Sequence, residues 1–491
     1  MQEVFVYIIL WTYLGLMLVL GAFGAHGFVM IWMVNRLPQR TAEAIEPPGE
    51  LPAVLIQLPV FNEAAVVERV IDSAAQVDYP RELLTIQVLD DSTDEQAVAL
   101  AAARCSHWLE QGIKIDHVRR ADRSGYKAGA LQHGLELDHA PFIAVFDADF
   151  LVPKEFLYKS LGHFKDQGGE GAEDSKVGLV QWRWDHLNRD ASWLTRAQAA
   201  LLDGHFFIEE VARSRAGWWC AFHGTAGIWR RECILESGGW SSDTLAEDMD
   251  LSLRAQIKGW GTKFLEGLGC PAELPPTPVS FFGQQHRWTK GNMEVACKLG
   301  PQLRSMHEPL GLVMEIAWRL YAPLAYLTVG PLLILATILV LLVHAGVDFP
   351  LWWSIAAAAL WLGSLGFVAI AIAGSRARGR SWYESLRVVP SLLLLGPAVV
   401  INNSAAVIQA LLGKRSPFVR TRKFGEAASG ASAKQKARLS LPDAALAIWL
   451  LAGTGLAVLK TASMIFSPLL AVAGLGCLWA ARGRRFDSVR N

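Results

Sequence analysis

Apolar residues fall into two patterns along this chain. Residues 4–34 form one nearly unbroken apolar run, and the region beyond residue 310 holds further stretches near 322–344, 351–373, 387–411, 442–459 and 462–480. Runs of this length predict membrane-crossing helices. Residues 50–300 instead read as ordinary globular sequence. There Ala53–Leu58 reads as a buried strand ahead of Pro59, and NEAAVVERVIDSAAQ shows apolar residues at helical spacing, with Asn62 placed to cap. Leu84–Leu89 is a second strand, followed by a helix through about Trp108. Ile113–Val118 is a third strand, KAGALQHGLEL a helix, and Phe142–Phe146 a fourth strand. This alternation predicts a mostly parallel sheet with helices on both faces. Ligands of such sheets bind beyond the carboxyl ends of the strands.

The first apolar run is too long for a signal-peptide core, and Met1-Gln2-Glu3 supplies no basic flank, so it reads as a retained transmembrane helix. Arg36 and Arg40 follow it and orient the next domain toward the cytoplasm. The Pro-rich segment 38–52 reads as a linker. Basic loops near 374–380 and at 413–423 are both expected to be cytoplasmic. The stretch 387–411 between them then cannot cross once. It carries Pro390, Pro397, Asn402 and Asn403, so a re-entrant or interfacial segment is expected. Five spans follow, with the N-terminus outside and the basic RGRR near the C-terminus inside. Six ordinary spans are the alternative.

Composition changes this picture little. Of 491 residues 52% are hydrophobic and 19% charged, which is apolar for a soluble protein. The formal net charge is zero, so charge gives no reason to expect a nucleic-acid partner. Six cysteines without a CxxC pair suit reduced thiols better than a disulfide or zinc framework.

The candidate chemistry lies at the strand ends. Asp90 and Asp91 follow the second strand, and Asp147 and Asp149 follow the fourth. A turn explains one acidic pair. Asp-x-Asp in a turn also presents two carboxylates to one hard divalent cation, Mg²⁺ or Mn²⁺, leaving positions free for phosphate oxygens. Such an ion offsets charge on a departing diphosphate. Glu247 and Asp248 open a helical pattern at 245–260, either as a favourable helix start or as a general base near a sugar site. Gln284, Arg287 and Trp288 share one helix face. Arg suits a diphosphate and Trp a sugar ring, although a membrane-interface helix would carry the same residues. Gly217–Trp229 mixes glycines with aromatics, as backbone close to a ligand does, or as a turn between buried segments does.

Together QVLDDSTD, GYKAGAL, VFDADF, HGTAGIWR, GGW, EDMDLSLRA and QQHRW resemble membrane-embedded family 2 glycosyltransferases, and most of all the plant cellulose-synthase-like A and C groups that make mannan and glucan backbones. The resemblance is dense over about 53–300 and loose beyond, where SPFVRTRKFG (416–425) resembles a gating loop. It implies an α/β GT-A cytosolic domain joined to an α-helical transmembrane domain, and inverting transfer from a nucleotide-sugar. It sets Glu63, Asp90 and Asp91 around the nucleotide, Lys127 near its phosphates, and Asp147 with Asp149 on the metal and diphosphate. It makes Asp248 the base. Gln284 and Arg287 fall to the donor, and Trp288, Glu247, His223, Gly224 and Thr225 to the acceptor. Ala246 stands where many relatives have Thr, which removes a hydroxyl but keeps both carboxylates.

The expected organisation is a transmembrane helix (1–37), linker (38–52), GT-A domain (53–300), interfacial helix region (301–321), transmembrane and re-entrant or interfacial segments (322–412), a basic gating-like loop (413–441) and C-terminal transmembrane helices (442–491). The expected activity is a processive β-glycan synthase, mannan or glucan and β-1,4-linked, using GDP-mannose or UDP-glucose with Mg²⁺ or Mn²⁺. A lipid glycosyltransferase adding one sugar to a ceramide-like acceptor is the alternative. A non-catalytic scaffold fits poorly with retention of every acidic motif. The expected location is the cell (inner) membrane, multi-pass, with membrane lipid around it and the catalytic domain cytoplasmic.

Overall fold

The computed structural model describes residues 2–38, 49–164, 176–306, 308–414 and 440–483. Most of the expected linker, and the gating-like loop from 415 to 439 including SPFVRTRKFG, lie outside the described residues.

Among the described residues, seven strands form one sheet in the order β3-β2-β1-β4-β6-β5-β7. They are β1 (Val54–Val60), β2 (Leu84–Asp90), β3 (Ile115–Val118), β4 (Phe142–Val145), β5 (Val177–His186), β6 (Gly227–Arg230) and β7 (Gly261–Ala272). β1 to β4 pair in parallel, β6 runs antiparallel between β4 and β5, and β7 is parallel to β5. The central strands are buried on both faces, which explains their continuous apolar runs. Alternate residues serve opposite layers. Val54, Ile56 and Leu58 pack with Val67, Val70 and Ile71 on one side, while Leu55, Ile143 and Val145 pack with Leu131, Leu135 and Trp229 on the other.

The helices about this sheet are α2 (Val67–Ala75), α3 (Glu95–Glu110), α4 (Tyr126–Leu137), α5 (Phe156–Leu161), α6 (Trp193–Gly204), α7 (Glu210–Ala216), α8 (Arg231–Glu236), α9 (Glu247–Ile257) and α10 (Pro278–Leu299), with α1 (Gln2–Arg36) preceding them. A π-helical turn, His205–Glu209, joins α6 to α7. All six cysteines are free thiols.

One local expectation is corrected. Asn62 does not cap α2, which starts five residues later at Val67 with no side-chain cap. Asn62 instead takes a left-handed φ of 53°. Its Oδ1 accepts from the backbone N–H groups of Thr93 and Asp94, both at 2.9 Å. The side chain therefore ties the loop after β1 to the loop after β2.

Beyond α10 come α11 (Leu310–Tyr321), α12 (Tyr326–His344), α13 (Leu351–Ser364), α14 (Gly366–Ala377), α15 (Trp382–Arg387), α16 (Val389–Leu411), α17 (Leu441–Ala457) and α18 (Ser467–Gly483). Among the described residues, four helical stretches are long and apolar enough to cross a membrane: Glu3–Arg36, Leu310–His344, Leu351–Ala377 and Trp382–Leu411. The expected boundary at 321/322 falls inside the second, because a short 3-10 turn joins α11 to α12 without breaking the rod. α16 is one continuous helix with Pro397 inside it and no re-entrant break. Its polar pair has another explanation than avoidance of lipid. Asn402 Nδ2 donates to the Phe282 carbonyl and to Asn403 Oδ1, both at 3.0 Å, and His286 of α10 meets the Asn402 carbonyl at 3.2 Å. The asparagines thus seat α10 on α16.

α1 meets the α13–α14 junction through glycines. A Cβ at Gly24 would overlap the Gly363 carbonyl, and one at Gly366 would overlap the Gly24 carbonyl. Small residues let membrane helices approach this closely. Gly24→Leu is expected to destabilise the detergent-solubilised protein by about 1–3 kcal/mol, read as a lower thermal midpoint. Gly15→Leu, where nothing lies within 4 Å, is expected to leave it unchanged. Equal midpoints for the two variants would refute the contact.

Candidate active site

A pocket of about 560 Å³ opens beyond the carboxyl ends of β1, β2 and β4. Glu63, Asp91 and Arg123 line one end, and Lys127, Asp147, Asp149, Glu247 and Asp248 its middle. Gln284, Arg287 and Trp288 of α10 form a wall beside Gly224 and His223. Two expected residues do not reach it. Asp90 is buried behind β2, where its carboxylate accepts from the Ser92 N–H at 2.8 Å and from His117 Nε2 at 2.9 Å. Burial opposes its charge, but these partners hold its pKa below the usual carboxylate value. Thr225 is also fully buried, and its Oγ1 accepts from the Asp147 N–H at 3.0 Å. Thr225 therefore fixes the backbone of the acidic pair.

The loops deliver the charged groups. Asp91 is clasped by the Arg120 fork, Nε to Oδ1 at 3.0 Å and Nη2 to Oδ2 at 2.5 Å. Arg123 lies flat over Phe61, 3.2 Å from the ring centroid. The two arginines sit in the run HVRRADRSGYK. Sequence reasoning passed over that run because only the lysine belonged to a motif, and its basic clustering was the available signal.

Lys127 is the hub. Its Nζ lies 2.6 Å from Asp147 Oδ1 and 3.5 Å from Glu247 Oε1, and donates to the Gly224 carbonyl at 2.8 Å. Burial disfavours its charge, but Asp147 and Glu247 outweigh this and hold its pKa above the ordinary lysine value. Asp147 is raised by burial and by Asp149, against the pull of Lys127. Asp248 is pushed up to about 7, by burial first and then by Glu247, although Lys127 and the Met249 N–H work against the shift. Burial likewise lowers the pKa of Arg287, whose charge is supported by Glu247, Asp147, Asp149 and Asp248.

Four carboxylates thus face two cations in one enclosed space. That surplus of negative charge suits a hard divalent ion on Asp147 and Asp149. Such ions are held by one or two carboxylates and complete their shell with phosphate and water.

At its far end the pocket runs between membrane helices, lined by Phe23 and His26 of α1, Trp318 and Arg319 of α11, and Phe367 of α14. Trp184 of β5 lies 6.3 Å from Trp288, ring to ring, and packs on Phe206 at 5.3 Å. A second ionic cluster stands here. Glu210 meets Arg213 at 2.9 Å and Arg319 at 3.1 Å, and Arg213 meets Glu315 at 2.9 Å. Glu210 stays far below the usual carboxylate pKa because the arginines outweigh its burial, and burial pushes His223 down to about 4. None of this cluster except His223 was expected from the sequence.

Two family models match the chain: "Glycosyl transferase family group 2" over residues 142–369 and "Glycosyl transferase family 2" over residues 56–185. The glucomannan 4-beta-mannosyltransferase 1 of Cyamopsis tetragonoloba is 36% identical over 277 residues, 54% of this chain and 51% of that protein. The glucomannan 4-beta-mannosyltransferase 2 of Arabidopsis thaliana is 41% identical over 246 residues, 50% of this chain and 45% of that protein. The chain spans about half the length of the curated relatives it matches. Among solved structures, a mannosyltransferase from Pyrobaculum calidifontis in complex with GDP-Man and Mn²⁺ is 21% identical, with a TM-score of 0.55. It covers 82% of this chain and 100% of that one, and the likeness extends to the GT-A fold.

Gly224 has a φ of 83°, and a Cβ there would lie 2.9 Å from Asp248 Oδ2 and 3.4 Å from Lys127 Nζ. Gly224→Ala is therefore expected to cost about 1 kcal/mol of stability or more through its backbone, and to cut turnover by displacing the Asp248 carboxylate. A variant with reduced stability but wild-type turnover would show that Gly224 serves the backbone alone.

Proposed function

Because the extramembrane half of this chain is a family 2 glycosyltransferase domain, we propose that the protein is an inverting, membrane-bound glycan synthase whose pocket joins a hexose from a nucleotide-sugar to the end of a β-glycan. The observation that carries this reading is the single pocket in which Asp248, with its pKa near 7, stands beside the acidic pair, Arg287 and Trp288, and which continues between membrane helices.

In this reading the nucleotide lies at the end formed by Glu63, Asp91 and Arg123, and the diphosphate lies toward Arg287 and Gln284. Asp147 and Asp149 hold Mg²⁺ or Mn²⁺, which supplies positive charge to the diphosphate when bound. The acceptor sugar rests near Trp288 and Trp184, beside Glu247, His223 and Gly224. Asp248 takes the proton of the acceptor hydroxyl as that oxygen bonds to the anomeric carbon. The bond from that carbon to the phosphate oxygen breaks on the opposite side, its electron pair leaves with the nucleoside diphosphate, and the configuration inverts. Lys127 and Glu247 act through position, by fixing Asp147 and the start of α9. Asp90 and Thr225 also act as supports rather than as ligand contacts.

The names of the relatives favour a mannosyl donor and a β-1,4 linkage, so GDP-mannose ranks ahead of UDP-glucose. A second reading, transfer of one sugar to a lipid, is favoured by the apolar membrane end of the pocket at Phe23, Trp318 and Phe367. The basic residues Arg36, Arg376 and Arg378 near helix ends support a catalytic domain on the cytoplasmic side of its membrane.

Incubating membranes with each donor and sizing the product separates the two: a polymer supports the synthase, and a single-sugar lipid overturns it. Asp248→Asn is expected to lower turnover by about 10²–10⁴-fold while donor binding holds. The sign of the pH effect follows from the raised pKa. Asp248 is protonated below about 7, so kcat/KM should fall as the pH drops through neutrality, and Asp248→Asn should flatten that limb. An unchanged acid limb in the variant would move the base elsewhere. Excess chelator is expected to abolish transfer, and full activity in its presence would remove the ion from this scheme.

A further inference from the structure

The cluster at the membrane end of the pocket contains an arrangement of which the proposed glycosyl transfer uses only His223, beside the acceptor. Glu210 is fully buried, and its two oxygens have different surroundings. Oε1 takes both arginines, Arg213 and Arg319. Oε2 is buried without a hydrogen bond, and so is the nitrogen opposite it, His223 Nε2. The two atoms are 3.8 Å apart, too far for a hydrogen bond. His205 completes the set, with its Nε2 3.8 Å from Glu210 Oε1. One donor atom from each of His205, Glu210 and His223 lies within 4.8 Å of the others.

The ring of His205 is oriented by its other nitrogen. Nδ1 lies 2.7 Å from Glu209 Oε2, so Nδ1 carries the proton that the carboxylate accepts. That leaves Nε2 turned toward Glu210 as the atom through which the ring can ligate. A carboxylate behind a histidine is also the usual outer support of a metal-bound imidazole. The local charge agrees: Glu209, Glu210 and Glu315 are three carboxylates beside two guanidiniums, Arg213 and Arg319.

We propose that His205, Glu210 and His223 form a binding site for a borderline-soft divalent ion, best matched by Zn²⁺, separate from the Asp147 and Asp149 pair. Two imidazoles and one carboxylate are a zinc-type donor set, and Mg²⁺ prefers oxygen. Metal–donor bonds of about 2.0–2.2 Å at tetrahedral angles put donor atoms roughly 3.3–3.6 Å apart, so a set lying within 4.8 Å draws together by up to about 1–1.5 Å when the ion binds. The π-helical turn that widens the helix at 205–209 places His205 and Glu210 together, and the loop after α7 brings His223 to them. His205 and His223 both line the pocket, so the fourth position opens toward the acceptor end. The ion ties α7 to the 217–226 loop at that point.

The test uses the full chain in detergent, carrying Asp147→Asn and Asp149→Asn to remove the other acidic pair. After chelation, Co²⁺ is added and followed by its visible spectrum, and Zn²⁺ retained by the unsubstituted chain is counted by elemental analysis. The expected result is one ion per chain and the intense bands of tetrahedral, nitrogen-ligated cobalt. Those bands should vanish in His223→Asn, and Glu209→Gln should weaken binding about 10–100-fold. Weak octahedral bands, no retained metal, or bands untouched by His223→Asn would overturn the site and leave bound water as the bridge. Because the readout is metal binding, failure here leaves the transferase reading standing.

Discussion

One half-buried ammonium holds the pocket end of this molecule together. Lys127 enters from the start of α4 and touches Asp147 beyond β4, Glu247 at the start of α9 and the Gly224 carbonyl ahead of β6. Those segments are far apart in sequence, and the apolar layers beneath them fix the strands but not the loop tips. Such a pair is weak evidence for stability, since the cost of desolvation offsets the attraction. Its main effect here is on position and on protons. With Lys127 satisfied by Asp147 and Glu247, Asp248 keeps only part of its attraction, and burial is left to carry its pKa to about 7.

That division of charge explains what could be read from the sequence. The first four strands were legible because each is a short local apolar run, and Asp90, Asp91, Asp147 and Asp149 because they follow those runs directly; β5, β6 and β7, which mix polar residues and glycines into their runs, were not read. Asp90 and Asp91 look alike in sequence, yet Asp90 is the last residue of β2 and pairs with His117 on the neighbouring strand. Asp91, one residue on, reaches the pocket. Asn62 was read as a cap because it precedes a helical pattern. Its actual partners lie about thirty residues away on Thr93 and Asp94, and no periodicity reports such a contact. The roles of Arg120 and Arg123 also depend on tertiary contacts, with Asp91 and Phe61.

The membrane end of the pocket was the least legible part. Phe23, Trp318 and Phe367 come from three different helices, the first nearly three hundred residues from the other two, and an aromatic residue in an apolar run gives no sign of which way it faces. Close packing at Gly24 and Gly366 sets this geometry. It brings α1 near enough for His26 Nε2 to lie 2.7 Å from Glu315 of α11. Glu315 in turn meets Arg213 of α7 at 2.9 Å, so a chain of charges leads from a membrane helix into the catalytic half.

Charges at such depth persist only when partnered, because isolated ones are too costly in an apolar setting. The chain from His26 through Glu315, Arg213 and Glu210 to Arg319 is therefore a constraint as well as a contact. Sliding α11 relative to α7 would leave several charges unmatched at once, so the membrane helices and the transferase half are held in one register. The asparagine pair on α16 fixes α10 in the same way through Phe282 and His286, and α10 carries Gln284, Arg287 and Trp288. The wall of the pocket is thus positioned from the membrane side and its acidic floor from the sheet side. Wall and floor meet where Trp288 of α10 lies 6.3 Å, ring to ring, from Trp184 of β5, so both sets of constraints act on that pair.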